Sequence, residues 1–274
     1  RYEEGLATCS QALLKYENMS KALTSAIEGL REAANAGRVY IYENFEHPAD
    51  GLSMRKLYET HAPGVDSDID ERHLPHIPYK DGFQRWRKIL SRGNKISGKI
   101  KNFPDSEKEL LASKNVQSIL VLPITVNNKW SGFIGFDNVT SEQAWNEEDI
   151  RLLQTASEMI GSYISRRSAS DALKVSEARF RSLVENAHDV IYSMKPDGTF
   201  TYLSPQFKQL SGYDESEFLG KTMKDLIHPD DFEKTWQQWL HFSKNKLKQV
   251  EFDYRVIHKD GHIRWFTTHS TNIL

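Results

Sequence analysis

The sequence predicts an α+β protein with two domains, each an antiparallel β-sheet with helices packed on it, joined by a long helix. The chain has 274 residues, a length at which two hydrophobic cores are more natural than one. Segments of mixed helical and strand pattern flank the run 146–187, which contains no proline and only one glycine, Gly161. A run of this kind between two mixed segments indicates a helix that connects two compact domains.

The composition excludes several classes of protein. The formal net charge is −2 and acids alternate with bases, so no basic surface for nucleic acid or for an anionic membrane is indicated. The longest apolar run, Ile119–Ile124, contains a proline and is too short to cross a bilayer. Cys9 is the only cysteine, which excludes an intramolecular disulfide and an iron–sulfur cluster held by this chain alone. We therefore expect a cytoplasmic protein with no nucleic-acid partner and no membrane insertion.

The first half begins with two helices and two strands. Apolar residues at helical spacing and β-branched or aromatic runs define them. The elements expected are helices over Tyr2–Tyr16 and Ser20–Asn35, the second ended by Gly37, and strands over Arg38–Phe45 and Lys56–Ala62. The segment Pro63–Lys80 contains three prolines and many acids, which is typical of a loop.

The rest of the first half predicts two more helices and a hairpin. The elements expected are a short helix carrying Phe83, Trp86, Ile89 and Leu90, a helix over Ser106–Lys114 capped by Asp105, and strands over Ser118–Val126 and Lys129–Asp137. The piece between the two helices has no regular pattern. Asn127-Asn128 suits the positive φ angles of a tight turn between the strands. This order predicts an antiparallel sheet with helices on one side.

The run 146–187 has a helical pattern with a change of phase in its middle. Asn146 is suited to cap its N-terminus, and acids follow in the first turn, where the helix dipole favours negative charge. The apolar stripe that begins at Ile150 stops at Arg166 and then resumes in a different phase. Two interpretations remain open: two helices with a short break near Ser168–Asp171, or one continuous signalling helix that pairs with its copy as a coiled coil in a homodimer.

The second half predicts two hairpins with small helices between them. The elements expected are strands over Asp189–Met194 and Thr199–Leu203, a short helix opened by Ser204-Pro205 that stops near Gly212, turns over Glu215–Leu219 and Thr222–Ile227, a longer helix over Phe232–Lys244, and strands over Gln249–Ile257 and His262–Ile273. The turn signals are Pro196-Asp197-Gly198 and Lys259-Asp260-Gly261. We expect more protein to follow Leu274.

The first half resembles a GAF domain over residues 1–166. The motifs that carry the resemblance are Ser118 to Ile124 (SILVLPI), Trp130 to Asp137 (WSGFIGFD) and Trp145 to Ile150 (WNEEDI). The resemblance implies a small-molecule sensor whose ligand lies between the sheet and the helices over it. Tyr79, Phe83 and Trp86 are the candidates to face that pocket, and the alternative is that they fill an ordinary core. Because the pocket region has no cysteine, we expect no covalently bound bilin.

Residues 177–274 resemble a PAS domain. The motifs are Phe180-Arg-Ser-Leu183, Asp197-Gly198, Gly212-Tyr213, Leu219-Gly220, His228-Pro-Asp-Asp231 and Gly261-His-Ile-Arg-Trp265. The resemblance implies a sheet with a fifth strand, which would follow Leu274, and a pocket that holds flavin, haem, a small metabolite or nothing. The pocket candidates are Trp236, Trp239, His241, Phe252 and Tyr254. The alternative is that Phe252 and Tyr254 belong to a filled core.

Two cofactors of PAS domains are disfavoured. Cysteinyl-flavin photochemistry needs a cysteine, and none follows Cys9. Haem needs an axial ligand, for which His241 is the best placed, with His258 and His269 as poorer candidates on strands. His73 and His76 have a spacing that suits a metal, but no carboxylate or cysteine partner is evident by spacing, which favours an ordinary solvated loop.

The sequence contains no catalytic signature. A Gly-rich phosphate loop, a nucleophile elbow, the phosphorylation and ATPase boxes of sensor kinases and the Gly-Gly-Asp-Glu-Phe motif are all missing from it. We therefore expect that this stretch is not itself an enzyme. It is expected to be the sensory region of a cytoplasmic signalling protein, a two-component sensor histidine kinase whose output domain lies C-terminal. The stimulus would be a small-molecule or redox signal. The alternatives are a ligand-free dimerisation scaffold, or the sensor region of a cyclic-di-GMP enzyme or a transcription regulator.

Overall fold

The computed structural model describes residues 1–66, 76–142 and 145–272. The chain forms two compact units, Arg1–Asp171 and Ala172–Leu274. Among the described residues, no helix combines the length and the apolar character that crossing a membrane requires.

The first unit contains a six-stranded antiparallel sheet. Its strands are β1 Arg38–His47, β2 Gly51–His61, β3 Ile77–Pro78, β4 Ile96–Lys99, β5 Ser118–Val126 and β6 Lys129–Asn138. They lie in the order β3-β2-β1-β6-β5-β4, and each pairing is antiparallel. Asn127 and Asn128 have φ angles of 51° and 60°, so the predicted tight turn between β5 and β6 is present.

Helices cover both faces of this sheet, so the prediction of helices on one side is wrong. The helices are α1 Tyr2–Lys15, α2 Met19–Ala34, α3 Gln84–Leu90, α4 Asp105–Ser113 and α5 Glu147–Glu185. In β1, Val39 and Ile41 pack with α1, α2 and α5, whereas Tyr40 and Tyr42 pack with α3 and α4. Because both alternating sets of β1 side chains are apolar or aromatic, each face needs a cover.

Several element boundaries also differ from the predicted ones. Asn35, in the left-handed conformation with φ of 49°, ends α2 in place of Gly37. β2 begins at Gly51, where the turn after β1 ends, and β4 occupies part of the piece without regular pattern. Asp105 is the first residue of α4 and not its cap. β3 lies inside the predicted loop, whose residues 67–75 are outside the described residues.

The long helix is continuous, so the interpretation with a break near Ser168–Asp171 is wrong. α5 runs for 39 residues, and Asn146 caps it: its Oδ1 accepts a hydrogen bond from the Asp149 amide at 2.8 Å. One face of the first half of α5 is buried in the core of the first unit, through Ile150, Leu153, Ala156, Ile160 and Tyr163. Beyond them, exposed apolar side chains follow: Leu173, Val175, Phe180 and Leu183. No other described residue buries these side chains, so this part of α5 presents apolar groups to solvent.

The second unit consists of two hairpins with helices between them. Its elements are β7 Tyr192–Met194, β8 Phe200–Leu203, α6 Gln206–Ser211, α7 Glu215–Phe218, a 3₁₀ turn Met223–Asp225, α8 Pro229–Lys244, β9 Gln249–Ile257 and β10 Ile263–Thr271. β7 pairs with β8 and β9 with β10, both antiparallel, as two separate pairs. The fifth strand of the resemblance would lie past Leu274 and stays a prediction.

One helix cap in this unit differs from the prediction, and the C-terminal end of the same helix agrees with it. Ser204 does not cap α6, because its Oγ accepts a hydrogen bond from the Ile191 amide at 2.9 Å. Gly212, with φ of 78°, ends α6 as predicted. His228 caps α8 through its Nδ1, which accepts from the Asp230 amide at 3.2 Å, and Pro229 occupies the first turn.

Candidate functional site

The second unit contains a cavity of about 460 Å³. Strands β7 to β10, helices α6 and α8 and the 3₁₀ turn supply its walls. The apolar lining comprises Val190, Met194, Phe200, Leu203, Phe207, Leu210, Met223, Leu226, Trp239, Phe252 and Phe266. A volume of this size is within the range of about 300–1,000 Å³ that small-molecule sites occupy.

Two phenol groups and the side chains of Thr235, Thr267 and Thr268 give the cavity its polar character. The Tyr192 hydroxyl lies 2.6 Å from Ser270 Oγ, and the Tyr254 hydroxyl lies 2.9 Å from Thr268 Oγ1. Burial raises the pKa of Tyr192 to about 12 and also raises the pKa of Tyr254, so both phenols are neutral at physiological pH. Each phenol can donate a hydrogen bond to a ligand or accept one from it, but neither can neutralise a charge on the ligand.

The charged groups of the lining lie at the rim. Asp189 and His269 are the titratable acid and base among the lining residues, and both are exposed. The His269 side chain faces Glu251, with 3.4 Å between its Nδ1 and the carboxylate. An ionised ligand inside the cavity would therefore lose its hydration without gaining a partner of opposite charge. The interior favours a neutral ligand.

The structure separates the predicted residues of this unit. Trp239, Phe252 and Tyr254 line the cavity, and the Trp239 indole donates to the Pro196 carbonyl at 3.2 Å. Trp236 lies outside the lining and stacks on Phe232, with 6.1 Å between ring centroids. His241 is exposed and its ring lies 3.0 Å from the Asn245 amide nitrogen. The candidate haem ligand on α8 therefore does not face the cavity.

Several lining residues escaped the sequence analysis. Tyr192, Phe200 and Thr268 belong to strands whose alternation identifies an inner face. The alternation could have identified Thr268, because it lies two residues from Phe266 on β10 and therefore on the same face of the strand. It does not separate residues around a void from residues in a filled core, because both sets are apolar and alternate in the same way.

Among the described residues of the first unit, the cavity between the sheet and helices α3 and α4 is small, about 40 Å³. A more open pocket of about 400 Å³ lies at the surface of α3, and most of its lining is polar or charged: Tyr79, Lys80, Gln84, Arg87, Lys88 and Ser91. Phe83 and Trp86 line the small cavity, whereas Tyr79 is buried beside it and donates through its hydroxyl to Asn44 Oδ1 at 2.8 Å. In this structure the three predicted pocket residues fill a core.

A buried polar cluster closes one side of this core. The Asp137 carboxylate accepts hydrogen bonds from the Tyr40 hydroxyl at 2.8 Å and from an Arg38 guanidinium nitrogen at 3.3 Å. The same Arg38 nitrogen donates to the Lys114 carbonyl at 2.9 Å. Burial raises the pKa of Asp137 to about 6, against the opposing effect of Arg38. The cluster ties β1 to β6 and to the end of α4.

The single cysteine is not suited to redox sensing. Cys9 is fully buried between α1 and the rest of the first core. Burial raises the pKa of its thiol to about 12, so the thiolate is essentially absent at neutral pH. The solvated loop expected at His73 and His76 stays a prediction, because His73 lies outside the described residues.

Comparison with known proteins identifies both halves. A model of the GAF domain matches residues 18–164, and a model of the PAS fold matches residues 200–273. The fold of the first unit is similar to that of the phycocyanobilin-bound GAF domain from a cyanobacterial phytochrome. The TM-score is 0.53 and the identity 16%, over 62% of this chain and 97% of that one. That similarity concerns the fold alone.

Two curated relatives are sensor kinases. The Methanogenesis regulatory histidine kinase FilI of Methanothrix harundinacea (strain 6Ac) is 34% identical over 170 residues, 61% of this chain and 19% of that protein. The Sensor histidine kinase TmoS of Ectopseudomonas mendocina is 24% identical over 170 residues, 59% of this chain and 17% of that protein. The chain spans less than a fifth of the length of these relatives.

Proposed function

The chain belongs to the GAF domain family, with a PAS domain after it, and from this membership we propose that it senses a small molecule for a two-component histidine kinase. The two histidine kinases named above support a kinase as the output domain, since each matches more than half of this chain. The catalytic domain would belong to another part of the same protein, in the cytoplasm. The stretch described here would bind and transmit, without catalysing a reaction.

The ligand site of this proposal is the cavity of the PAS unit. Its volume of about 460 Å³ with a mostly apolar lining is the observation that carries the proposal. The cavity inside the GAF core is only about 40 Å³, and the GAF surface pocket of about 400 Å³ is lined mainly by polar and charged side chains. The apolar walls, two neutral phenols and uncharged interior select a neutral, largely apolar molecule with one or two hydrogen-bonding groups. The GAF unit then acts as a packed scaffold and not as the primary sensor.

Transmission would use a homodimer formed through the C-terminal part of α5. Leu173, Ser176, Phe180 and Leu183 follow the three-four spacing of a coiled-coil seam, and the three apolar members are 61%, 65% and 65% exposed. We call these four residues the exposed stripe. Pairing would bury it, and ligand binding that favours one packing of the paired helices would shift their equilibrium.

Binding of a neutral, apolar fluorescent probe, N-phenyl-1-naphthylamine, tests the ligand site on the whole chain. We expect saturable binding, with fluorescence enhanced by the apolar walls. Leu210→Trp places an indole at the half-buried lining position of α6 and should weaken binding by about tenfold or more, which corresponds to about 1.4 kcal/mol.

The matched control is Leu240→Trp, the same substitution at a half-buried position of α8 outside the lining. It should leave probe affinity unchanged. Absence of saturable binding, or equal affinity in all three proteins, would contradict the proposed site. An intact mass spectrum of the natively purified chain would in addition reveal a small molecule carried through purification.

A further inference from the structure

Three potential metal ligands meet at the turn between β1 and β2 of the GAF unit. His47 is the last residue of β1, Asp50 lies in the turn, and His76 directly precedes β3. β3 is an edge strand of two residues, paired with β2 at Ser53 and Met54. The register places His47 opposite Gly51, so the turn brings the first two ligands to the same end of the hairpin.

The ligand atoms already have the spacing of a metal site. Asp50 Oδ2 lies 2.9 Å from His76 Nε2 and 3.2 Å from His47 Nδ1, and all three atoms lie within 4.8 Å of one another. Around a tetrahedral Zn²⁺, with ligand distances of about 2.0–2.2 Å, neighbouring ligand atoms are separated by about 3.3 Å. Small side-chain rotations would therefore accommodate the ion.

The surrounding residues hold the two imidazoles in place. The rings of His47 and His76 stack with centroids 4.1 Å apart, and the Phe45 ring meets both edge-on at 6.2 and 5.9 Å. The Ala49 amide also donates to His47 Nδ1, at 3.4 Å, a long contact that ligation would replace.

The charges around the cluster also permit a cation. Lys80 Nζ lies 2.9 Å from Asp50 Oδ1, which leaves Oδ2 directed toward the two imidazoles. The three side chains are 32%, 30% and 32% exposed, so a hydrated ion can reach them. Two neutral imidazoles and one carboxylate are a set that borderline divalent transition metals prefer over Mg²⁺ or Ca²⁺.

We propose that His47, Asp50 and His76 bind one divalent transition-metal ion, with Zn²⁺ as the reference ion and water in the fourth position. The ion would join the β1–β2 turn to the segment that enters β3. Because β3 has only two paired residues, this link would hold the edge of the sheet more firmly than its strand pairing does. The site is separate from the PAS cavity and does not depend on the proposed sensory function.

The test measures Zn²⁺ binding to the untagged 274-residue chain by equilibrium dialysis with elemental analysis. We expect one Zn²⁺ per chain. His47→Gln, Asp50→Asn and His76→Gln should each weaken binding on the order of 10- to 100-fold, a loss that even outer-shell partners of a metal can produce. Zn²⁺ should also raise the melting temperature of the wild type, and not that of the variants.

His269→Gln is the matched control. His269 also lies beside a carboxylate, Glu251 at 3.4 Å, but it belongs to the other unit, and no third potential metal ligand among the described residues lies close to both. This variant should bind Zn²⁺ as the wild type does. Circular dichroism of each metal-free variant identifies any that fails to fold, and the remaining ligand variants then decide. Absence of stoichiometric binding, or affinity unchanged in the folded ligand variants, would overturn the proposal.

Discussion

Asp137 is ionisable yet almost fully buried, and its environment makes the stability of the GAF unit depend on pH. Its carboxylate is 3% exposed and depends on Tyr40 and Arg38 for its hydrogen bonds. Burial raises its pKa to about 6, above the value of about 3.9 expected in the unfolded chain. The folded protein therefore holds this proton more tightly than the unfolded chain does.

The sign of the pH dependence follows from that difference. Between about pH 4 and pH 6 the unfolded chain has lost the Asp137 proton and the folded protein still holds it. The contribution of Asp137 to the free energy of unfolding therefore falls as pH rises through this range. Relative to Asp137→Asn, the wild type should lose roughly 3 kcal/mol at most between these values and then level off. Denaturant unfolding of both proteins across this pH range measures the difference.

Only the unfolding transition that Asp137→Asn moves should be compared, because a chain of two units need not unfold in one step. Glu251→Gln, an exposed carboxylate of the other unit, is the control and should show no such trend. A gap between wild type and Asp137→Asn that stays constant from pH 4 to pH 7 would contradict the assigned pKa.

At the scale of elements, α5 packs directly on the end of β5. The Ser157 hydroxyl donates to the Pro123 carbonyl at 2.8 Å, and one turn further Gly161 lies against Thr125. A Cβ added at Gly161 would overlap the Thr125 carbonyl oxygen. The single glycine of the long helix is therefore explained by close approach to the sheet, at the point where the helix leaves its core.

Gly161→Ala should destabilise the GAF unit. Alanine ordinarily favours a helix by about 1 kcal/mol over glycine, but the overlap should reverse the sign and cost about 1–3 kcal/mol. Thermal or denaturant unfolding measures the change. Ser170→Ala, at an exposed position of the same helix, should be neutral or slightly stabilising. If Gly161→Ala proved as stable as the wild type, the close packing of α5 on β5 would be wrong.

The sequence predicted the elements with strong local signals and missed those without them. The Asn127-Asn128 turn and the Asn146 cap carry their own chemistry, so the hairpin and the helix start were found where the structure has them. β3 and β4, of two and four residues, are too short for a pattern to emerge and are held by pairing with longer neighbours. The proposed metal site brings together His47, Asp50 and His76. Its third ligand lies far from the other two along the chain, so a search for ligands at short sequence spacing does not find it.

At the scale of the whole molecule, the two units differ in what their interiors can do. The PAS unit has a mostly apolar cavity of about 460 Å³, whereas the cavity inside the GAF core is about 40 Å³, although both units have strands of alternating apolar pattern. That contrast depends on how side chains fill space in three dimensions, which periodicity does not report. In our proposal the ligand therefore binds in the PAS unit and the long helix transmits the signal.

The transmission that we propose for α5 requires two helices to pair. A single exposed helix has no second surface against which two packings could differ, whereas a pair of helices can shift between registers. Val175 provides a control within the same segment: it is 69% exposed, as apolar as its neighbours, but lies off the exposed stripe. The stripe and its control thus separate specific pairing from a general effect of added charge.

Sedimentation of the 274-residue chain by analytical ultracentrifugation tests the central claim most directly. The account predicts that the wild type and Val175→Glu sediment as dimers and that Leu173→Glu/Phe180→Glu sediments as a monomer with unchanged helix content. A wild type that stays monomeric at all concentrations, or a double variant that dimerises as the wild type does, would contradict it.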